Sequence, residues 1–139
     1  MKLASVDQFV PDYQTAVTLY GAEFIARKPE AARHFMRALI RAMRWYNDSL
    51  TDGRMQGAKA DRLVEIMTKY GTVKNPAIWR AMVATGVDPD GHVNLASLRA
   101  SWQFFRDTRQ IDGSVTVDDV VDLRFLDQAL AELGPYHRQ

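Results

Sequence analysis

The stretch Tyr20 to Asp48, YGAEFIARKPEAARHFMRALIRAMRWYND, joins a strand-like run to the longest helix signal in the chain. Pro29 stands where the first helical residue is favoured, because its missing N–H would be unpaired there and its φ is already helical. Glu30 follows in the first turn, where a negative charge meets the positive end of the helix dipole. Ala32, Phe35, Met36, Leu39, Ile40, Met43 and Tyr46 recur at steps of three and four, the spacing of one buried helix face. The pattern predicts a helix from Pro29 to Asp48, about 30 Å long at the helical rise per residue. Arg33, Arg37, Arg41 and Arg44 run down another face, which the spacing assigns to solvent. Glu30 and Asp48 flank that stripe and the whole chain carries only +1, so a nucleic-acid surface is not expected.

Upstream of this helix, Met1 to Tyr13 reads as an incoming loop, with turn residues at Pro11 and Asp12. Residues 14–20 read as a strand: Thr15-Ala16-Val17-Thr18-Leu19-Tyr20 is rich in β-branched and aromatic residues and is stopped by Gly21. A lone strand needs partners for its backbone N–H and C=O groups, and no second convincing strand follows. It pairs with another chain, belongs to a sheet completed elsewhere, or is absorbed into a helix. Ala22 to Arg27 is a short helical turn, so residues 22–48 are helical.

Downstream, residues 60–133 read as helices joined by polar loops. Thr51 to Lys59 is a loop. Ala60 to Tyr70 is amphipathic, with Leu63, Ile66, Met67 and Tyr70 on one face and Gly71 as its stop. Asn75-Pro76 opens a third helix as N-cap and first residue, with Ile78, Trp79, Met82 and Val83 apolar and Gly86 at its end. Asn94 caps a fourth, whose Leu95, Leu98, Trp102 and Phe105 form the expected buried stripe. Val115 to Val117 is briefly extended, Asp118 to Asp122 a helical turn, and Leu123 to Leu133 a last helix ended by Gly134 and Pro135. Trp45, Trp79 and Trp102 fall beside other apolar residues and are assigned to packing.

Composition bounds the function. The chain has 139 residues, one domain's worth, with the apolar content of a foldable protein. The near balance of 18 basic and 17 acidic residues gives no steering toward acidic or basic partners. Absence of cysteine excludes disulfides, thiolate nucleophiles and Cys-ligated metal sites. No segment has the apolar length of a membrane span, so no membrane insertion is expected. Asp7, Pro11 and Asp12 interrupt any export signal, and the polypeptide as written is expected to remain in the cytoplasm.

Motifs of chemistry fail on spacing. Asp88 to Asn94 has the residues of a calcium loop, but from Asp88 the glycine falls at position 4 and position 12 is Arg99, a cation where a bidentate carboxylate is required. His34, His92 and His137 are not spaced as ligands, and no metal site or cofactor is assigned. No serine stands in a nucleophile elbow and no glycine-rich phosphate loop is present. Asp118, Asp119, Asp122 and Asp127 are assigned to helix starts and local pairing, not to acid–base chemistry. No catalytic residue is assigned and the chain is not expected to be an enzyme.

The order of several stretches carries a resemblance. Tyr13 to Gly21, Glu23-Phe24, Pro29 to Ala32, Phe35 to Ala38 and Tyr46-Asn47-Asp48 resemble the C-terminal part of type II periplasmic solute-binding proteins of ABC importers. The nearest group is the nitrate/sulfonate/taurine class with the thiamine-pyrimidine precursor proteins. Ile66 to Tyr70, Gly86 to Gly91, Asn94 to Leu98, Val117-Asp118, Val121-Asp122 and Phe125-Leu126 follow in family order, so the resemblance runs from about Asp7 onward. It implies a mainly α segment with one short strand, the C-terminal part of an α/β periplasmic-binding-protein type II fold. It implies a small organic solute held only together with an N-terminal half, an ABC permease as partner of the whole protein, and a periplasmic or extracellular location for the family. The strand of residues 14–20 would enter the first lobe's sheet, which leaves Tyr13 and Gln14 as the candidate ligand-binding residues. The contrasting expectation is a free-standing helical interaction module that forms homo-oligomers through residues 14–20. An enzymatic role, known in the thiamine-pyrimidine branch, has no residues here to carry it.

Overall fold

Helix α2, Pro29–Asp48, spans the bounds that its periodicity predicts, and Pro29 occupies its first turn. In the computed structural model, which describes residues 6–138, it is one of seven α-helices among the described residues. The others are α1 Ala22–Arg27, α3 Ala60–Tyr70, α4 Pro76–Ala81, α5 Leu95–Asp107, α6 Val117–Val120 and α7 Arg124–Leu133, after a short 3₁₀ turn at Val6–Gln8. The protein is mainly helical, with no sheet among the described residues; one isolated bridge joins Thr51 and Arg54. The first five residues of the expected incoming loop lie outside the described residues.

The chain divides into two compact units. One consists of Met1–Ala26 with Val93–Leu123, the other of Arg27–His92 with Arg124–Gln139. The second unit is built on α2 and α7, which pack along each other. Ala32 and Ile40 of α2 are buried, as are Phe125, Leu126 and Ala129 of α7. Gly91 closes over this seam with φ +71°, and a Cβ there would lie 2.5 Å from Ile40 Cδ1. Only glycine supplies both the left-handed backbone and the missing atom.

A second cluster fills the rest of this unit. Met55, Ala60, Leu63, Val64 and Trp79 are buried together, with Trp45, Leu50, Met67 and Met82 packed against them. The buried stripe of α3 runs through Ala60, Leu63, Val64 and Met67 toward Gly71. Tyr70, expected on that face, falls beside it and is 74% exposed. Gly71 ends α3 with an ordinary φ of −77°, not in the left-handed manner. Glycine is needed there for room: a Cβ would come 2.5 Å from the Met67 carbonyl and 3.2 Å from Trp79 Cζ2. Helix α4 stops at Ala81, short of Gly86, because the Ala81 carbonyl accepts from Arg54 Nη1 and the Ala84 N–H donates to the Gly53 carbonyl. These bonds draw the chain to the Thr51–Arg54 turn.

Two further expectations are corrected. The arginine stripe of α2 is not a free solvent face: Arg33 and Arg37 both bind Glu132 of α7, and Arg44 binds Asp90. Residues 14–20 form no strand. The N–H groups of Thr15 to Leu19 find no acceptor among the described residues, and a β-rich sequence without a neighbouring edge has no ladder to join.

The first unit is thinly covered. Val117 is its one buried hydrophobic among the described residues. No residue of α5 is buried, so the expected stripe of Leu95, Leu98, Trp102 and Phe105 is only partly shielded. Its order comes from polar bonds at helix ends. Thr116 and Asp119 form a capping box on α6, and Trp102 Nε1 donates to the Val115 carbonyl at 2.7 Å.

Candidate functional site

The residues singled out from sequence, Tyr13 and Gln14, lie at the entrance of α5. Asn94 caps α5 by accepting from the Ser97 N–H, as expected, while its own N–H donates to Gln14 Oε1 at 2.9 Å. The Gln14 N–H donates to Ser97 Oγ, Gln14 Nε2 to the Ala16 carbonyl, and Asn94 Nδ2 to the Asp12 carbonyl. Both ends of the Gln14 amide are therefore committed to holding residues 12–16 on the helix start. Tyr13 beside it is 42% exposed. Gln14 acts as a clamp that fixes where the following run begins.

That run is the distinctive feature of the first unit. Val17 is 47% and Leu19 85% exposed, and their N–H groups carry no bond among the described residues. Edge-to-face contact between Tyr20 and Phe24, with ring centroids 5.6 Å apart, ends it at α1. Exposed apolar side chains on a backbone with unused donors are the requirements of a strand awaiting an edge.

The second unit holds a partly buried polar cluster. Asp48, at the C-terminal end of α2, is buried. Its carboxylate accepts from Tyr136 Oη at 2.7 Å and from Lys59 Nζ at 2.9 Å. Burial, and then the hydrogen bond to Asp48, push the Tyr136 phenol above its ordinary value. Arg44 reaches Asp90 through two nitrogens, at 2.9 and 2.6 Å, and also donates to the carbonyls of Leu133 and Gly134. Burial works to raise the pKa of Asp90, but the bonds from Arg44 and the Tyr136 N–H outweigh it and hold the carboxyl below its usual value. Arg138 donates to the Leu50 carbonyl. Residues 134–138 are thereby strapped onto the end of α2.

Asp88 Oδ1 accepts from the N–H groups of Asp90 and His92, folding the turn on itself, and Asp90 faces Arg44. No group of acidic or histidine residues fit to hold a metal occurs among the described residues. Asp48, Lys59 and Tyr136 carry no motif in the sequence. Their separations of 11 and 88 residues leave no local pattern to find.

Beside the cluster lies an open depression of about 630 Å³, lined by Ala38, Arg41, Ala42, Arg44, Trp45, Asp48 and Lys59. No helix among the described residues is long and apolar enough to cross a membrane. No family model, curated protein or solved structure matches the chain.

Proposed function

We propose that this chain is the C-terminal segment of the substrate-binding component of an ABC importer for a small organic solute, with a type II periplasmic-binding-protein fold when joined to its N-terminal half. The role is binding and delivery, not catalysis. One observation carries the reading: residues 15–19, strand-like in sequence, present N–H groups with no acceptor among the described residues and exposed apolar side chains where the resemblance places a strand of the first lobe. The permease is the partner of the complete protein, and the compartment is the family's, periplasmic or extracellular. The transported solute is held between two lobes, so this segment alone does not hold it.

The test joins the chain to the reading frame upstream of it and screens thermal stability against nitrate, sulfonates, heterocycles and amino acids. A stabilised transition with one ligand class is expected. No shift with any class, or no upstream α/β reading frame, overturns the reading.

Exposed Phe104, Phe105, Val115 and Val120 in the same unit favour a second reading, a free-standing helical interaction module. Sedimentation separates the two. Self-association of the chain that is lost on Leu19→Lys supports the module, whereas a monomer that becomes ordered on joining the upstream half supports the importer component.

A further inference from the structure

Each arginine in the stripe of α2 except one has a carboxylate. Arg33 and Arg37 share Glu132, and Arg44 holds Asp90. Arg41 forms no ion pair and no side-chain hydrogen bond among the described residues. It is also the arginine that lines the open depression on α2 without being tied down there.

The surroundings of Arg41 have a definite chemistry. Ala38 and Ala42 leave space beside the helix, and Trp45 adds half-buried aromatic surface. Lys59 also lines the depression, with its ammonium on Asp48 at 2.9 Å. The two acids near the site are already neutralised, Asp48 by Lys59 and Asp90 by Arg44. The net charge left at the depression is that of the Arg41 guanidinium. A planar fork of donors beside an apolar and aromatic surface is complementary to a carboxylate carried on a flat apolar body.

We propose that this depression is a binding site for a small aromatic carboxylate, with Arg41 pairing to the carboxylate and Trp45, Ala38 and Ala42 contacting the ring. The site lies wholly within the second unit and does not depend on the importer reading. It needs no upstream half, so the two stand or fall separately.

Benzoate is the probe, with benzylamine and acetate as controls of charge and of body. Binding is read from the indole N–H resonance of Trp45 and from tryptophan fluorescence, with the full chain at constant ionic strength. Saturable benzoate binding is expected, with acetate weaker and benzylamine silent. Arg41→Met should weaken benzoate at least about tenfold, the loss expected for one charge-assisted hydrogen bond. Arg41→Lys should retain part of the binding. Arg41 has no partner among the described residues to lose, so both variants should keep the parent's helical circular dichroism. The proposal is overturned by an unmoved Trp45 resonance, by equal binding in Arg41→Met, or by equal response to benzylamine.

Discussion

The two units spend similar kinds of sequence in opposite ways. The second, Arg27–His92 with Arg124–Gln139, turns its apolar stripes inward: Ile40 and Ala129 are almost fully covered, and Met55, Leu63, Val64 and Trp79 form a common cluster. The first, Met1–Ala26 with Val93–Leu123, also carries apolar residues on α5 and in residues 15–20, yet buries only Val117 among its described residues. Large exposed apolar side chains concentrate there, including Phe9, Leu19, Phe104 and Val120. Amphipathic pattern reports that a face is fit for burial. It does not report that the covering element lies in the same chain. The difference between the units is a supply of neighbours, not of hydrophobicity.

Substitutions can break or sharpen this contrast. The largest effect is expected in the covered unit. Trp79→Ala removes a buried ring and its bond from Nε1 to the Val73 carbonyl, and should cost about 3–5 kcal/mol in chemical denaturation. Hydrogen exchange should show the loss in α3 and α4 and not in α5. Uniform loss would mean that the units unfold as one. Next comes Gly57→Ala, whose Cβ would lie 2.7 Å from the Asp48 carbonyl oxygen and the Ser49 carbonyl carbon. Both are backbone atoms with little freedom to yield, and about 1–3 kcal/mol of overpacking is expected.

Acid should act on the covered unit with a defined sign. The carboxyls of Asp90 and Glu132 have folded pKa values below their ordinary ones. Burial opposes the Asp90 shift, and bonds from Arg44 and the Tyr136 N–H outweigh it. For Glu132 the bonds from Arg37 and then Arg33 dominate. Their stabilisation is complete above the unfolded carboxylate pKa and is lost as pH falls through the folded values. Asp90→Asn should lower stability at neutral pH and flatten the acid limb of a denaturation series. An unchanged limb would place the acid sensitivity elsewhere.

The smallest effect belongs to the first unit. Leu19→Ser should change the stability of the chain by no more than about 0.5 kcal/mol, since the side chain is 85% exposed. On the proposed importer reading, the same substitution should weaken docking of residues 15–19 onto the joined upstream half. A large loss in the isolated chain would show that the run is already covered.

Sequence made the helices legible to the degree that their signals are local. Pro29 with its apolar period set α2, Asn75-Pro76 and Asn94 set the starts of α4 and α5, and Asp118 and Asp119 marked the first turn of α6. What escaped was nonlocal. Arg33 has one partner three residues back, Glu30, but the other, Glu132, lies 99 residues away on another helix, and nothing in the spacing of the arginines reveals that cross-helix pairing. The reach of α4 past Ala81 was overestimated because Met82 and Val83 keep the helical period while distant carbonyl and amide groups take the chain elsewhere. Gln14 was read as a candidate ligand contact, while its clamp on Asn94 depends on 80 residues of intervening fold. The Asp48 cluster had no local trace at all.

The second unit is stitched from separate lengths of polypeptide, with α2 and α7 as its two sides. Its seam combines apolar faces, the Glu132 pairs and the tail bonds of Tyr136 and Arg138. Such a seam has the makings of a split reporter: a peptide carrying α7 and its tail, supplied in trans, would dock on the α2 half by complementation, guided by the same charges.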